Sequence, residues 1–387
     1  MSEHLEQGAV IVLDEIVRRA VRAHASDIHL EPKRDRMNVR FRVDGEMVEE
    51  QSIPLDISPE VISRIKVLAR MDIAERRMPQ DGQLTLSPEG NTVHLRASSF
   101  PASLGEKIVL RILSGQALIA FEKIGLDART QAIVRELVGR PQGFLVTSGP
   151  TGAGKTSTLY SFMRLIDTRR TNVVTLEDPI EVELPQITQG QTNLKAGFTF
   201  ATGLRAILRQ DPDVIMVGEI RDSETAGIAL QAALTGHLVL STVHTSDAVE
   251  TAVRLVDLGV EPWIVANALT GILAQRLVRL VCKNCQELVP IEADLVDEEE
   301  IVIPKGTKVV KPKGCSACLK TGYKGRTGIF EVLMVDDDMR ELIKHKASPR
   351  EYRAMLKKQG IATLRRIGLE KVKEGLTTVD EVLRVTI

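Results

Sequence analysis

The sequence predicts an α/β protein: a phosphate-loop core on a parallel sheet, preceded by a smaller mixed α/β domain. Three observations predict it. A glycine-rich run, Gly149-Pro150-Thr151-Gly152-Ala153-Gly154-Lys155-Thr156, stands between an apolar run and a helical one. Further short apolar runs bounded by charged or glycine residues follow it, as strands buried on both faces require. Four cysteines stand in two C-x-x-C pairs, Cys282/Cys285 and Cys315/Cys318, and mark a small lobe of their own. With 387 residues the chain is long enough for two or three domains with proper cores.

Residues 1–113 read as the mixed domain. Ile11, Val12, Ile16, Val17 and Val21 give Val10 to His24 helical periodicity. Met37 to Val43 alternates as a strand does, and Asp44-Gly45 reads as its hairpin turn. Val93 to Arg96 and Lys107 to Ile112 read as further strands. Residues 114–124 form a linker, rich in small side chains from Ser114 to Ala120. The core spans 125–280, with strands expected at Phe144 to Thr147, Asn172 to Leu176, Val214 to Val217 and Leu238 to Thr242, and a helix at Ser157 to Ile166. Residues 281–322 form the cysteine lobe, whose acidic stretch Asp297 to Glu300 reads as a solvated loop. Residues 323–387 form a C-terminal region, mostly helical from Ile329, with breaks at Ser348-Pro349 and Gly360. There is no internal repeat.

Composition excludes several classes. Hydrophobic residues at 43% and charged residues at 27% are an ordinary globular balance, and 3% aromatic residues imply an aliphatic core. A net charge of -1 offers no global field for nucleic acid, and few aromatics leave few stacking platforms. Nucleic acid is therefore not an expected partner. The acidic start Met1-Ser2-Glu3 is unlike a signal peptide. The longest apolar stretch, Trp263 to Ala274, is interrupted at Asn267 and falls short of the ~20 residues a spanning helix needs. A cytoplasmic protein, peripheral to a membrane at most, is expected.

The glycine run fits G-x-x-x-x-G-K-[ST], in which backbone N–H groups wrap a phosphate because no Cβ atoms block the approach. Gly149 to Ser157 is thus expected to bind ATP or GTP. Lys155 would reach the β- and γ-phosphates, and the Thr156 hydroxyl would hold Mg²⁺. Hydrolysis further needs carboxylates at strand ends. Thr175-Leu176-Glu177-Asp178-Pro179-Ile180-Glu181 presents Glu177 and Asp178; Val214 to Val217 leads through Gly218 to Glu219, which acts on Mg²⁺ or as a base. His237 and His244 flank the strand Leu238 to Thr242 as candidates to contact or sense the γ-phosphate. Arg205, Arg209, Arg221 and Arg254 in the core, with Arg96 and Arg111 in the first domain, are candidates to stabilise phosphate charge. As a set they suggest a site completed by another domain or subunit. The cysteine pairs suit one tetrahedral Zn²⁺, structural because four thiolates leave no open position. A thioredoxin-like redox pair would leave the second C-x-x-C unexplained.

Together these motifs resemble the ATPases that power type II secretion and type IV pili. They comprise Ser26-Asp27-Ile28-His29-Leu30-Glu31-Pro32, the phosphate loop, Thr175 to Glu181, Leu208 to Asp213 leading to Gly218-Glu219-Ile220-Arg221-Asp222, and Leu234 to His237 through Thr242 to Thr245. The glycine at position 218 is itself a trait of that family. The resemblance implies a homo-hexamer with ATP between a PAS-like N-terminal domain and a RecA-like core. Glu219 and Glu177 would organise Mg²⁺ and water, and the arginines above would contribute to nucleotide contacts. It implies as partners an inner-membrane platform and the cytoplasmic-domain proteins of a secretion system, with membrane contact indirect. The paired C-x-x-C motifs resemble the type II secretion and pilus-extension branches, and Leu204 to Arg209 with Leu273 to Arg279 look closer to secretion. Relatives on both branches usually carry a further N-terminal domain that docks on a membrane partner, whereas this chain begins almost at the PAS-like domain.

Overall fold

The computed structural model describes residues 2–113, 119–292, 294–296 and 302–386, so linker residues 114–118 and the acidic stretch 297–300 lie outside the described residues. The chain divides into two compact units, Met1–Gln116 and Ala117–Ile387.

The first unit contains α1 (Ser2–Arg22), β1 (Ala25–Pro32), β2 (Arg36–Val43), β3 (Glu46–Glu49), β4 (Ile53–Pro54), α2 (Ser58–Leu68), β5 (Gln80–Leu86), β6 (Val93–Ala102) and β7 (Gly105–Ile112). Its antiparallel sheet runs β3-β2-β1-β7-β6-β5, with β4 paired to β2. Period-two alternation decides its faces: Val93, Leu95 and Ala97 of β6 are buried while His94, Arg96 and Ser98 are exposed. Leu13, Ile16 and Val17 of α1 and Val61 and Ile65 of α2 share one core with Ile28, Leu30, Phe41 and Leu110. The β2–β3 turn has Asp44 at φ 50° and Gly45 at φ 92°, the double positive φ of a type I′ hairpin. Within this core Lys66 and Glu106 form an ion pair at 2.9 Å, both buried, and Lys66 Nζ also donates to the Glu75 carbonyl.

The second unit opens with α3 (Ala128–Val138), β8 (Gly143–Ser148), α4 (Lys155–Met163), β9 (Val173–Glu177), β10 (Thr188–Gln191), α5 (Phe200–Ile207), β11 (Val214–Val217), α6 (Ser223–Leu234), β12 (Leu238–Val243), α7 (Ala248–Asp257), α8 (Pro262–Ala268) and β13 (Leu269–Val281). A lobe follows with β14 (Gln286–Pro290), β15 (Leu295–Val296), β16 (Val302–Ile303) and β17 (Lys308–Pro312). The chain then returns through β18 (Tyr323–Met334) to α9 (Asp337–Lys344), α10 (Pro349–Lys358), α11 (Leu364–Lys373) and α12 (Val379–Val385). The sheet order is β10-β9-β11-β12-β8-β13-β18, parallel throughout except for β18. Every residue of β8, β9, β11 and β12 is buried, as strands covered on both faces must be.

One stretch differs from the sequence expectation. Ile329 to Met334, expected to be helical, completes β18 and pairs along β13. It is an apolar run whose length and period fit helix or strand alike, and sheet pairing decides. The apolar stretch Trp263 to Ala274 is divided between α8, which stops at Ala268, and β13, which starts at Leu269 and enters the sheet beside β8.

Glu106→Ala leaves the Lys66 ammonium buried and unpaired, and should cost about 3–5 kcal/mol. Replacing both partners by Met and Leu should recover most of that loss. Urea unfolding followed by circular dichroism checks it: equal stabilities for the single and double variants would contradict a buried pair.

Candidate nucleotide site

The carboxyl ends of four adjacent parallel strands carry the expected groups. The phosphate loop follows β8, Glu177 and Asp178 close β9, Glu219 follows β11, and His244 follows β12. Crevices outside the carboxyl ends of such strands are where open α/β sheets bind ligands.

The loop folds tightly because its glycines allow it. Gly152 and Gly154 have φ of 81° and 85°, and Gly149 at φ 151° lies so close to β13 that a Cβ would sit 2.6 Å from the Gln275 carbonyl oxygen. Gly154 caps α4, so Lys155, Thr156 and Ser157 begin its first turn with free N–H groups toward the loop. Lys155 is 8% exposed; its Nζ donates to the carbonyls of Gly149 at 2.6 Å and Pro150 at 3.0 Å, with His244 Nδ1 at 3.5 Å. Burial pushes its pKa down to about 8; the charge of Glu219 acts in the opposite direction and that of Arg276 in the same one. A buried ammonium held by its own loop, ringed by open N–H groups, is a cradle for an anion, and the phosphates of ATP fit its donor set; the Thr156 hydroxyl at the start of α4 is the oxygen that would take Mg²⁺.

Glu219 is within reach of both neighbours: Arg221 pairs with Oε1, and His244 Nε2 lies 3.2 Å from Oε2. His244 therefore stands between the loop lysine and the β11 carboxylate. Gly218 fits where a larger residue would press on β9, since its Cβ would lie 3.3 Å from the Leu176 carbonyl oxygen. Asp178 is exposed, and its charge reaches Arg221.

Glu177 is held differently. It is 2% exposed; Tyr160 donates to Oε2, and Thr175 and Gln189 donate to Oε1 at 2.6 and 2.9 Å. Tyr160 Oη also accepts from the Glu181 N–H at 3.4 Å. The sequence reading missed this frame, and also missed Gln275, whose Nε2 donates to the Ala153 carbonyl at 2.6 Å from beneath the loop. The signal for Gln275 was available: with Arg276 it interrupts a buried apolar strand.

Other expected residues are not gathered here. His237 precedes β12, at the opposite edge of the sheet from the loop, and its N–H and Nδ1 both face the Ala232 carbonyl. Its backbone carbonyl accepts from Gly143 at the start of β8, so a full strand length separates it from the phosphate loop. Arg205 pairs with Glu224, Arg209 donates to the Arg205 carbonyl, and Arg254 is exposed on α7. In the first unit Arg96 and Arg111 stand opposite each other on β6 and β7, both exposed, with Arg111 paired to Asp27 at 2.9 Å.

The cysteine lobe brings all four sulfurs within 4.8 Å of one another. The Cys282–Cys315 separation is 4.0 Å, and those of Cys285–Cys318 and Cys315–Cys318 are 3.8 Å. Zn–S bonds of about 2.3 Å in a tetrahedron place sulfurs roughly 3.8 Å apart, whereas a disulfide needs about 2.05 Å. The donors thus fit Zn²⁺. Burial raises the thiols of both Cys285 and Cys318, and N–H groups of Cys315 and Gly322 donate to the Cys318 sulfur, so Cys318 is the one of the two held toward the thiolate a metal needs.

The family described as "Type II/IV secretion system protein" matches residues 3–384. "Type II secretion system protein E" of Pseudomonas aeruginosa is 46% identical, over 100% of this chain and 77% of that protein. "Type II secretion system ATPase E" of Vibrio cholerae is 43% identical over 98% and 76%. "Type IV pilus assembly ATPase TfpB" of Acinetobacter baylyi is 45% identical over 98% of this chain and 66% of its own length. Among solved structures, the pilus retraction motor PilT with bound ADP superposes with a TM-score of 0.64 at 27% identity, covering 96% of each chain. The ATPase DotB of Legionella pneumophila gives 0.68 at 22% identity, covering 97% and 95%, and shares the fold.

Two outcomes follow from the geometry. With the charged form of Lys155 expected to bind phosphate, ATP affinity should hold below its pKa of about 8. Above that it should fall by up to about tenfold per pH unit, as the lysine must first take up a proton. Fluorescent-ATP titrations from pH 7 to 9 check this, and a flat profile would refute it. Reduced protein should carry about one tightly held Zn²⁺ per chain, lost in a Cys282→Ser/Cys315→Ser variant. Metal analysis finding none in the unmodified chain would remove the site.

Proposed function

The chain belongs to the type II/IV secretion system protein family, and on that premise we propose that it is the motor ATPase driving pseudopilus assembly in type II secretion. It is an ATP hydrolase. The observation that carries the proposal is the alignment of Lys155, His244 and Glu219 across the carboxyl ends of β8, β12 and β11. We read the second unit as a RecA-like core and the first as PAS-like.

In this reading the loop N–H groups of Gly149 to Ser157 and the Lys155 ammonium bind the ATP phosphates, and the Thr156 hydroxyl holds Mg²⁺. Bound Mg²⁺ supplies charge neutralisation at the β- and γ-phosphates. Glu219 orients and deprotonates the attacking water, and His244 fixes its carboxylate against the loop. The Glu177 frame holds the end of β9, and Asp178 presents a second carboxylate from it. The cysteine lobe holds a structural Zn²⁺. Exposed Arg96, Arg111, Arg205, Arg209, Arg221 and Arg254 are the positive charge that a homo-hexameric ring would bring to a shared nucleotide. The ring would act on an inner-membrane platform and cytoplasmic-domain partners from the cytoplasmic side. Among the described residues no helix is long and apolar enough to cross a membrane. The similarity to a pilus assembly ATPase supports pilus extension as the second reading.

Lys155→Ala should abolish nucleotide binding. Glu219→Ala should bind ATP but lose at least about 10²-fold in turnover, the scale of a lost general base. Undiminished phosphate release by either variant would overturn the assignments. In the native host, deletion should stop exoprotein release and leave pilus-dependent motility intact, with rescue by the unmodified gene and not by either variant. Loss of motility with normal release would move the protein to pilus extension.

A further inference from the structure

We propose that Arg276 is a positioning residue that ties the His244 loop and the C-terminal helix α12 to the floor of the phosphate loop. Nucleotide occupancy is thereby felt at the end of α12. The inference rests on the ATPase reading and adds to it a residue and a route. Arg276 is 9% exposed, and its guanidinium spans three separate segments. Nη1 donates to the Gln275 carbonyl at 3.0 Å, Nη2 to the Ser246 carbonyl at 2.7 Å, and Nε to the Val385 carbonyl at 3.1 Å. Each contact leads somewhere. The Gln275 carbonyl is the atom against which Gly149 packs, and the Gln275 side chain holds Ala153. Ser246 lies two residues beyond His244, which touches both Lys155 and Glu219. Val385 is the last residue of α12.

The donor geometry requires arginine. A planar guanidinium offers donors in several fixed directions at once, whereas a lysine ammonium is a compact point on a flexible stem. Carbonyls alone do not balance a buried charge, and Asp247, Glu250 and Glu331 lie near enough to favour it. Asp247 caps α7 and Glu331 accepts from the Ala248 N–H, so the same carboxylates that steady Arg276 steady the helix after the His244 loop. When the loop opens to admit phosphate, the Gly149 backbone moves against Gln275, and the displacement passes through one side chain to residues 244–246 and to α12.

The test is hydrogen exchange of the unmodified chain with and without AMP-PNP and Mg²⁺, repeated on Arg276→Lys. Nucleotide should slow exchange in the phosphate loop, and by about threefold or more at 244–247 and 382–386. In Arg276→Lys the loop protection should persist while the response at 382–386 disappears. Its kcat should fall by about tenfold with KM for ATP within about twofold. A residue that merely stabilised the fold would lower the melting temperature without removing that nucleotide-dependent response. Protection of the unmodified chain confined to the phosphate loop overturns the inference, as does an intact α12 response in the variant. The unmodified chain decides alone if the variant does not fold. Absence of nucleotide protection anywhere in the unmodified chain would instead overturn the ATPase reading.

Discussion

The buried ammonium of Lys155 is the constraint around which the second unit is arranged. Removing such a charge from water costs several kcal/mol unless it is compensated, and here the compensation is mostly carbonyl oxygens of its own loop. The opposite charge that acts on it is Glu219, two strands over across β12. An arrangement of this kind has more attraction for anions than it has satisfied, and a polyphosphate supplies what is missing. The same constraint explains why β8, β11 and β12 end together. Loop, carboxylate and histidine must share one small region for the lysine to be tolerated, and parallel strands with all carboxyl ends on one edge are an economical way to achieve it.

The second organising element is β13. At 13 residues it is the longest strand of the sheet, and its polar residues sit where apolar ones would have packed with less cost. Gln275 holds the phosphate loop, Arg276 holds the His244 loop and α12, and Arg279 pairs with buried Glu381 of α12 at 2.7 Å. Cys282 follows directly, so one strand runs from the phosphate loop to the cysteine lobe. Apolar packing alone would let the C-terminal helices settle in several registers. Directional hydrogen bonds from this strand select one, because each buried donor is expensive to leave unmade.

The parts legible in the sequence were those where local chemistry dictates structure. The phosphate loop, the Asp44-Gly45 turn and the strands Val214 to Val217 and Leu238 to Thr242 were read within a residue of their observed bounds, because glycine placement and apolar runs encode them directly. The four cysteines come together as their spacing suggested. What was not legible depends on pairing at a distance. Ile329 to Met334 becomes strand because β13 is there to receive it. His237 looks equivalent to His244 along the chain, yet one strand length sends the two to opposite edges of the sheet. The Tyr160 partner of Glu177 lies 17 residues away on another element, and no local pattern announces it.

The two strand-end carboxylates show how environment divides labour between identical side chains. Both oxygens of Glu177 accept from protein donors, and the group is closed from solvent, so water has no ready access to it. Such a carboxylate serves as an anchor: Tyr160 comes from α4, the helix that begins at Lys155, and Gln189 comes from β10, so Glu177 fixes β9 relative to the phosphate loop. Glu219 is only 14% exposed in its side chain, but its partners are an exposed arginine and a half-exposed histidine, both free to exchange for a substrate. Retaining a mobile partner is what lets a carboxylate change its proton or its ligand during a reaction, whereas a fully satisfied one holds geometry. That contrast supports the proposed reading, in which Glu219 is the reactive group and Glu177 keeps its surroundings in place.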